Sequence, residues 1–253
     1  MHDDEKLPFT AHLEELRKRL IICFAAIGVG FVISYIFSKR LFEILMMPLL
    51  SAMPPEEKLV YTGLPEAFFT YLKVAFLAGV LLAIPVIMYQ FWMFIAPGLY
   101  DKEKRLVLPV VFLSSVFFVG GALFGYFVVF PFGFQFFMGF ASDYVRPLPS
   151  MKEYLSFSAK LLFAFGIVFE LPLFITFLAR LGIVDAPFLK AKRKYAILLF
   201  FVFAAILTPP DVITQVMMAG PLFLLYEISI IGAKVFGKKR AQKDVEEPQE
   251  TAG

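Results

Sequence analysis

The sequence predicts an all-α integral membrane protein with six transmembrane helices. Hydrophobic residues account for 60% of its 253 residues and charged residues for only 18%, which is too little polar surface to cover a water-soluble domain of this size. The hydrophobic residues fall into six runs separated by polar segments, and Lys and Arg alternate between abundant and sparse in successive segments. Both patterns are typical of a chain that crosses a bilayer repeatedly.

Each hydrophobic run is expected to be a helix, because backbone groups find no water partners in lipid and must pair within their own segment. The runs are Leu20–Phe37, Val74–Phe94, Leu106–Phe130, Leu155–Leu178, Tyr195–Leu207 and Val212–Ala233. The fifth has only 14 residues between Lys194 and the prolines at 209–210, about 21 Å of helix against a bilayer core of about 30 Å. We therefore expect short fifth and sixth helices, joined tightly by the TPPD turn.

Prolines predict where these helices bend. Pro85, Pro172 and Pro221 fall within the second, fourth and sixth runs, where they are expected to produce kinks. After the first run, LFEILMMPLL carries a mostly apolar face and contains Pro48. This segment predicts a short helix on the outer membrane surface that Pro48 ends or kinks.

The distribution of basic residues predicts the orientation of the chain. On the side that holds the N-terminus lie 17 of the 24 Lys and Arg residues, so both termini are expected in the cytoplasm. The chain then divides into a cytoplasmic amphipathic helix (1–19), a six-span membrane domain (20–233) and a disordered cytoplasmic tail (234–253). The start MHDDEKLPF does not resemble a transit peptide, which favours a bacterial inner membrane over a plastid one.

The sequence has no catalytic signature. It contains no nucleophile elbow, no glycine-rich phosphate loop and no metal-ligand spacing, and both histidines lie within the first twelve residues. The formal net charge of +3 is too small to suggest a nucleic-acid partner. We therefore expect a protein that is not an enzyme and that uses no metal, cofactor or nucleic acid.

Two segments place acidic residues at the cytoplasmic interface. In HLEELRKRL the spacing predicts the i,i+4 pairs Glu14–Lys18 and Glu15–Arg19 on a solvated helix. In APGLYDKEKRL, Asp101 is a candidate N-cap for the third span and places Glu103 in its first turn. Helix formation alone explains both segments, but together they bring Glu15 and Glu103 to the same interface.

Glu170 lies at the centre of LLFAFGIVFELPLFITFLA, the run from 161 to 179. A charge at the bilayer centre costs about 2.5–3.5 kcal/mol on insertion scales, and Lys160 is about 15 Å away along the helix. Glu170 is therefore either a neutral side chain bonded within the bundle, or part of a polar contact surface or proton-handling site. Glu227 can reach the interface near Lys234, whereas Asp211 is placed to cap the sixth helix.

At this point the chain resembles the TatC family, the core subunits of the twin-arginine protein translocase. The resemblance runs from about His12 to Ala233 and is carried by HLEELRKRL, YQFWMFIAPGLYDKEKRL, FGYFVVFP, FAFGIVFELP and LTPPDVITQ, in this order. It implies a concave bundle of six helices with both ends in the cytoplasm. It also implies that the protein recognises secreted proteins bearing a twin-arginine signal and passes them folded across the membrane.

The resemblance also implies roles for individual residues. Glu15 and Glu103 would form the cytoplasmic site for the signal's arginines, with Arg17 and Phe94 on the same surface. Pro48 matches the proline of the external loop. The polar positions of the concave membrane face are matched by Glu170, Asp211 and Gln215. TatB-like and TatA-like single-span subunits would dock against this face in a multimeric complex, while Lys160 departs from the family pattern.

Two other functions compete with this one. A proton-coupled small-solute carrier would use Glu170 as its proton site, but the sequence lacks the inverted repeats that mark many carriers. The short fifth span and the cytoplasmic acidic pair also count against a carrier. A purely structural scaffold would assemble with partners without binding any signal peptide.

Overall fold

The computed structural model describes residues 9–54, 59–61, 63–95, 107–140, 144, 147–207 and 212–237. Within these ranges all regular elements are helices, and the only extended pairing is an isolated bridge between Val60 and Ser150. The all-α prediction is therefore confirmed. Asp101, Glu103 and Asp211, to which the sequence assigns capping or binding roles, lie outside the described residues.

Ten α-helices and one π-helical turn make up the described chain. They are α1 (Phe9–Ile36), α2 (Ser38–Leu50), α3 (Glu66–Ile95), α4 (Val107–Phe124), the π turn (Gly125–Val129), α5 (Phe130–Met138), α6 (Met151–Phe169), α7 (Leu171–Arg180), α8 (Ala186–Ala191), α9 (Arg193–Leu207) and α10 (Val212–Phe236). Helix α1 continues without a break across residue 19, the predicted boundary between the amphipathic segment and the first span. These two segments therefore form one helix.

Five helical stretches are long and apolar enough to cross a bilayer. They are Thr10–Ile36, Glu66–Ile95, Val107–Met138, Met151–Arg180 and Thr214–Phe236. Helix α9 has 15 residues, about 22 Å, so the prediction of a short fifth helix is confirmed. The prediction of a short sixth helix is wrong, because α10 has 25 residues. Pro221 lies inside α10 without ending it, since one missing N–H is tolerated in a long apolar helix.

Pro172 coincides with a break in the fourth span. Helix α6 ends at Phe169 and α7 begins at Leu171, with Glu170 between them. The backbone N–H of Glu170 donates to the Ile167 carbonyl at 3.1 Å, an i−3 bond that tightens the last turn of α6. Pro172 cannot donate to the turn before it. The predicted kink therefore falls at Glu170 itself.

Glycines allow two spans to meet backbone to backbone. A Cβ atom added at Gly30 of α1 would lie 2.5 Å from the Gly79 carbonyl oxygen of α3, and one added at Gly79 would lie 2.5 Å from the Phe31 nitrogen. Small residues permit such close packing between membrane helices. The outer side of α1 carries exposed apolar side chains, for example Phe24 (68% exposed) and Val32 (63% exposed), as expected for a surface that faces lipid.

The first turns of α3 and α6 are joined by hydrogen bonds at one end of the bundle. The Glu66 carboxylate accepts at Oε1 from the Ser150 hydroxyl and from the Lys152 backbone N–H, each at 3.1 Å. Helix α2 packs on the same end through buried Phe42 and Leu49, and Pro48 is buried inside it. A helix is therefore present where the LFEILMMPLL segment predicts one, although Pro48 does not end it.

Candidate functional site

Glu15 is held by a neighbour on its own helix. The Arg19 guanidinium donates to Glu15 Oε1 from Nε at 2.9 Å and from Nη2 at 2.5 Å. The predicted i,i+4 pair is therefore present, and the second predicted pair, Glu14–Lys18, closes at 2.9 Å. The two pairs differ in surroundings, because the Glu15 and Arg19 side chains are 26% and 19% exposed whereas Glu14 and Lys18 are 64% and 70% exposed.

Two contacts attach this part of α1 to the end of α3. Arg19 Nη1 donates to the Gln90 side-chain oxygen at 3.2 Å, and Gln90 is buried. One turn further along α3, the Phe94 ring stacks on His12 with centroids 4.3 Å apart and an interplanar angle of 19°. His12 Nδ1 lies 4.0 Å from Glu15 Oε2. The structure thus brings Glu15 and Phe94 together, with His12 between them.

Arg17 and Glu103 are not part of this described cluster. Arg17 is two residues from Glu15, about 200° around the helix, and it is exposed without a hydrogen bond or ion pair to any described residue. Glu103 follows α3 in a segment outside the described ranges. Among the described residues, the cluster therefore holds the predicted carboxylate Glu15 together with the predicted aromatic residue Phe94.

His12 and Gln90 belong to the site although the sequence pattern did not predict them. A usable signal existed on each helix, because His12 and Arg19 lie three residues before and four residues after Glu15 and so share its face. Gln90 lies four residues before Phe94 and likewise shares its face. The contact between the two faces, however, depends on how α1 and α3 are rotated against each other.

Glu170 faces a groove on the membrane-spanning part of the molecule. The groove has a volume of about 320 Å³, and apart from Glu170 apolar side chains of α3, α4, α6 and α7 line it, among them Ile87, Phe91 and Phe174. One carboxylate oxygen, Oε1, is buried without a hydrogen-bond partner among the described residues. On its inner side, Glu170 interacts with the hydroxyl of Ser114, which accepts from Trp92 Nε1 at 2.7 Å. Glu170 is therefore in contact with the bundle through Ser114, it lines the groove, and its Oε1 atom has no hydrogen-bond partner among the described residues.

Two other polar residues of the spans, Gln215 and Glu227, lie within the described residues. Gln215 is half-buried near the start of α10 and makes no hydrogen bond to a described residue. Glu227 does not depend on Lys234 for its neutralisation, because its Oε2 accepts from Arg193 Nη2 of α9 at 2.6 Å. Within the described ranges no three His, Cys, Asp or Glu side chains come close enough to hold a metal ion.

Comparisons with known proteins identify the family of the chain. Residues 11–221 match the family model for TatC, the Sec-independent protein translocase protein. The chain belongs to the TatC family. TatC of Desulforapulum autotrophicum is 64% identical over 250 residues, which cover 99% of this chain and 92% of the relative. TatC of Campylobacter jejuni is 45% identical over 222 residues, 87% of this chain and 91% of the relative.

Two solved structures extend the likeness to the fold. A crystal structure of the twin arginine translocase receptor TatC matches with a TM-score of 0.78 at 44% identity and covers 88% of this chain and 97% of its own. A crystal structure of the same receptor in the detergent DDM matches with a TM-score of 0.80. As a TatC, this chain is a component of a Sec-independent protein translocase and a multi-pass protein of the bacterial inner membrane that acts with other Tat subunits. Nothing in the comparisons supports a small-solute carrier.

Proposed function

We propose that this TatC protein is the receptor for twin-arginine signal peptides and that Glu15 and Glu103 bind the two arginines at the cytoplasmic ends of the helices. The observation that carries the proposal is the fixed position of Glu15. Arg19 binds both Glu15 and Gln90, which connects Glu15 to α3. The Glu15 Oε2 atom lies near His12, whose ring stacks on Phe94. The Arg19 contact also supports arginine binding at this site, since a guanidinium already binds the Glu15 carboxylate.

Carboxylates at this position favour arginine over lysine. The guanidinium is a planar fork that can donate two parallel hydrogen bonds to one carboxylate, whereas the lysine ammonium is a compact point charge. Phe94 adds a ring face beside the carboxylate, on which a guanidinium can stack. Arg17 is exposed on the other side of α1, so its proposed contact with the signal requires a peptide that extends across α1.

Ion pairs alone are too weak to hold the signal peptide. An exposed pair contributes about 0–1 kcal/mol, so the apolar part of the signal must contribute further contacts. Helix α3 offers such contacts along one face, because Phe94 is followed towards the bilayer by Phe91 and Ile87, both of which line the groove beside Glu170. We propose that the apolar segment of the signal lies along this face.

Peptide binding tests the receptor proposal. A fluorescent peptide with an arginine pair is titrated against the protein in lipid nanodiscs, and Glu15→Gln and Glu103→Gln are each expected to weaken binding about fivefold. Glu14→Gln is a matched control, since Glu14 is exposed and paired with Lys18 on the adjacent face, and it should bind like the parent. A peptide with a lysine pair should bind more weakly than the arginine peptide. Unchanged affinity in both Glu15→Gln and Glu103→Gln would remove these residues from the site.

We also propose that the membrane face around Glu170, together with Gln215 and Asp211, receives TatB-like and TatA-like single-span subunits in a multimeric complex. The buried, unpartnered Oε1 of Glu170 supports this, because a polar side chain of a partner helix would satisfy it. The burial of Pro48 in α2 supports a structural role for this proline in the external segment. Site-specific photo-cross-linking from position 170 to partner subunits tests the docking proposal.

A further inference from the structure

A second groove lies at the end of the bundle where α3 and α7 terminate. It has a volume of about 340 Å³ and is bounded by Val110 and Leu113 of α4, Leu173, Phe177 and Arg180 of α7, and Phe236 of α10. Leu173, Phe177 and Arg180 follow one another at helical spacing, so the groove runs along α7 for about 10 Å. Leu113 is 41% exposed and Phe236 is 60% exposed, which leaves the groove open on the lipid side.

Arg180 is the charged group at one end of this groove. It is the last residue of α7, and Gly182 then turns the chain away with a φ of +76°. Two other polar groups in the wall are already satisfied, because Thr176 Oγ1 donates to the Pro172 carbonyl at 2.6 Å and Trp92 Nε1 donates to Ser114. Among the described residues, the groove therefore combines an apolar channel with one cation, Arg180, at the point where the span Met151–Arg180 ends.

The lining of the groove indicates what can occupy it. Its walls are apolar side chains of α4, α7 and α10, and the cation of Arg180 lies at the end where α7 terminates. An extended hydrocarbon chain matches the apolar walls, and an anionic group matches the cation.

We propose that this groove binds a phospholipid, with one acyl chain between α4 and α7 and the headgroup phosphate on Arg180. The guanidinium is suited to a phosphate because it can donate two hydrogen bonds to a pair of phosphate oxygens. The pattern of one cation at the membrane surface and apolar walls below it is complementary to an amphiphile with one anionic head. This groove shares Trp92 with the groove of Glu170, but its other lining residues are different. The lipid proposal does not depend on the receptor proposal.

Photolabelling with a lipid tests the proposal. The full chain is reconstituted into vesicles of phosphatidylethanolamine and phosphatidylglycerol that contain phosphatidylglycerol with a diazirine at the end of one acyl chain. After irradiation, labelled peptides from α7 are compared by mass spectrometry with those from the exposed lipid-facing side of α1. We expect several-fold more label on α7 than on α1. The Arg180→Gln variant should lower this ratio about fivefold.

Two further variants keep the test decisive. Leu113→Trp, at a lipid-exposed wall position, should fill the groove and lower the ratio even with Arg180 present. Lys190→Gln removes an exposed cation from α8 and should leave the ratio unchanged. The proposal is overturned if α7 and α1 are labelled equally in the parent protein, or if neither Arg180→Gln nor Leu113→Trp changes the ratio. Displacement of the label by an arginine-pair signal peptide would also overturn it, because the groove would then belong to the cargo.

Discussion

Arg19 binds Glu15 through two nitrogens and reaches Gln90 through the third, so a single guanidinium joins the acidic residue of α1 to the buried amide of α3. This arrangement fixes the Glu15 carboxylate before any ligand arrives. It also means that Glu15 Oε1 is already accepting hydrogen bonds, and an incoming arginine must either use Oε2 or displace Arg19. The resident cation therefore competes with the signal that the site is proposed to bind.

Replacement of Arg19 tests this competition. Arg19→Gln removes a positive charge from hydrogen-bond distance of the carboxylate, so an arginine-pair peptide should bind a few-fold more tightly than it binds the parent. The affinity is measured by fluorescence anisotropy in nanodiscs. Adding Glu15→Gln to this variant should abolish the gain, because the gain depends on the freed carboxylate.

The opposite result has a distinct meaning. If Arg19→Gln weakened binding as strongly as Glu15→Gln, Arg19 would be a residue that positions the carboxylate rather than one that competes for it. Lys18→Gln is the control for a general loss of positive charge, since Lys18 is exposed and paired with Glu14. It should change the affinity much less than Arg19→Gln does.

The close contact between α1 and α3 predicts that alanine substitutions at different glycines change the stability of the protein by different amounts. Gly30→Ala and Gly79→Ala each place a methyl group 2.5 Å from backbone atoms of the facing helix, so the helices must separate at a cost of about 1–3 kcal/mol. Gly28→Ala is the matched control, because a Cβ there meets nothing within 4 Å. Thermal unfolding in detergent should show a lower midpoint for the first two variants and no loss for the control. Equal midpoints in all three would contradict the close packing.

The features that the sequence could predict are those set by neighbours along the chain. The apolar run Val74–Phe94, which lies within α3, and the Glu14–Lys18 pair follow from composition and from the helical period alone. Gln90 was not predictable as a partner of Arg19, 71 residues away, because the contact depends on the rotation of α3 against α1. For the same reason the sequence placed Glu227 near Lys234, whereas its partner is Arg193.

The Arg193–Glu227 ion pair connects α9 to α10 and predicts coupled effects on stability. Glu227 Oε1 and Arg193 Nε are buried without other partners among the described residues. Arg193→Gln leaves the Glu227 charge without its partner, and we expect a loss of about 1–3 kcal/mol. Glu227→Gln in addition should recover part of that loss, because the unpaired charge is removed.

A double-mutant cycle measures this coupling. The midpoints of thermal unfolding are compared for the parent, the two single variants and the double variant in the same detergent. A coupling near zero would mean that the pair is screened at the membrane surface and contributes little to the attachment of the short α9. Lys190→Gln, which removes an exposed cation from α8, should be neutral in the same assay.

Glu170 has an inner contact to Ser114 and an unpartnered oxygen, Oε1, and the inner contact can be removed while the oxygen is kept. Ser114→Ala removes the hydroxyl that links Glu170 to Trp92 and should lower stability by about 1 kcal/mol, while partner cross-linking persists. Glu170→Leu removes the whole carboxylate, including the unpartnered Oε1, and should reduce both partner cross-linking and export of a folded reporter at least tenfold. Glu170→Gln retains a polar group of the same shape, so it should preserve much of the cross-linking. If Glu170→Leu left export and cross-linking intact, Glu170 would be a passive residue of the bundle, and the unpartnered oxygen would have no part in assembly.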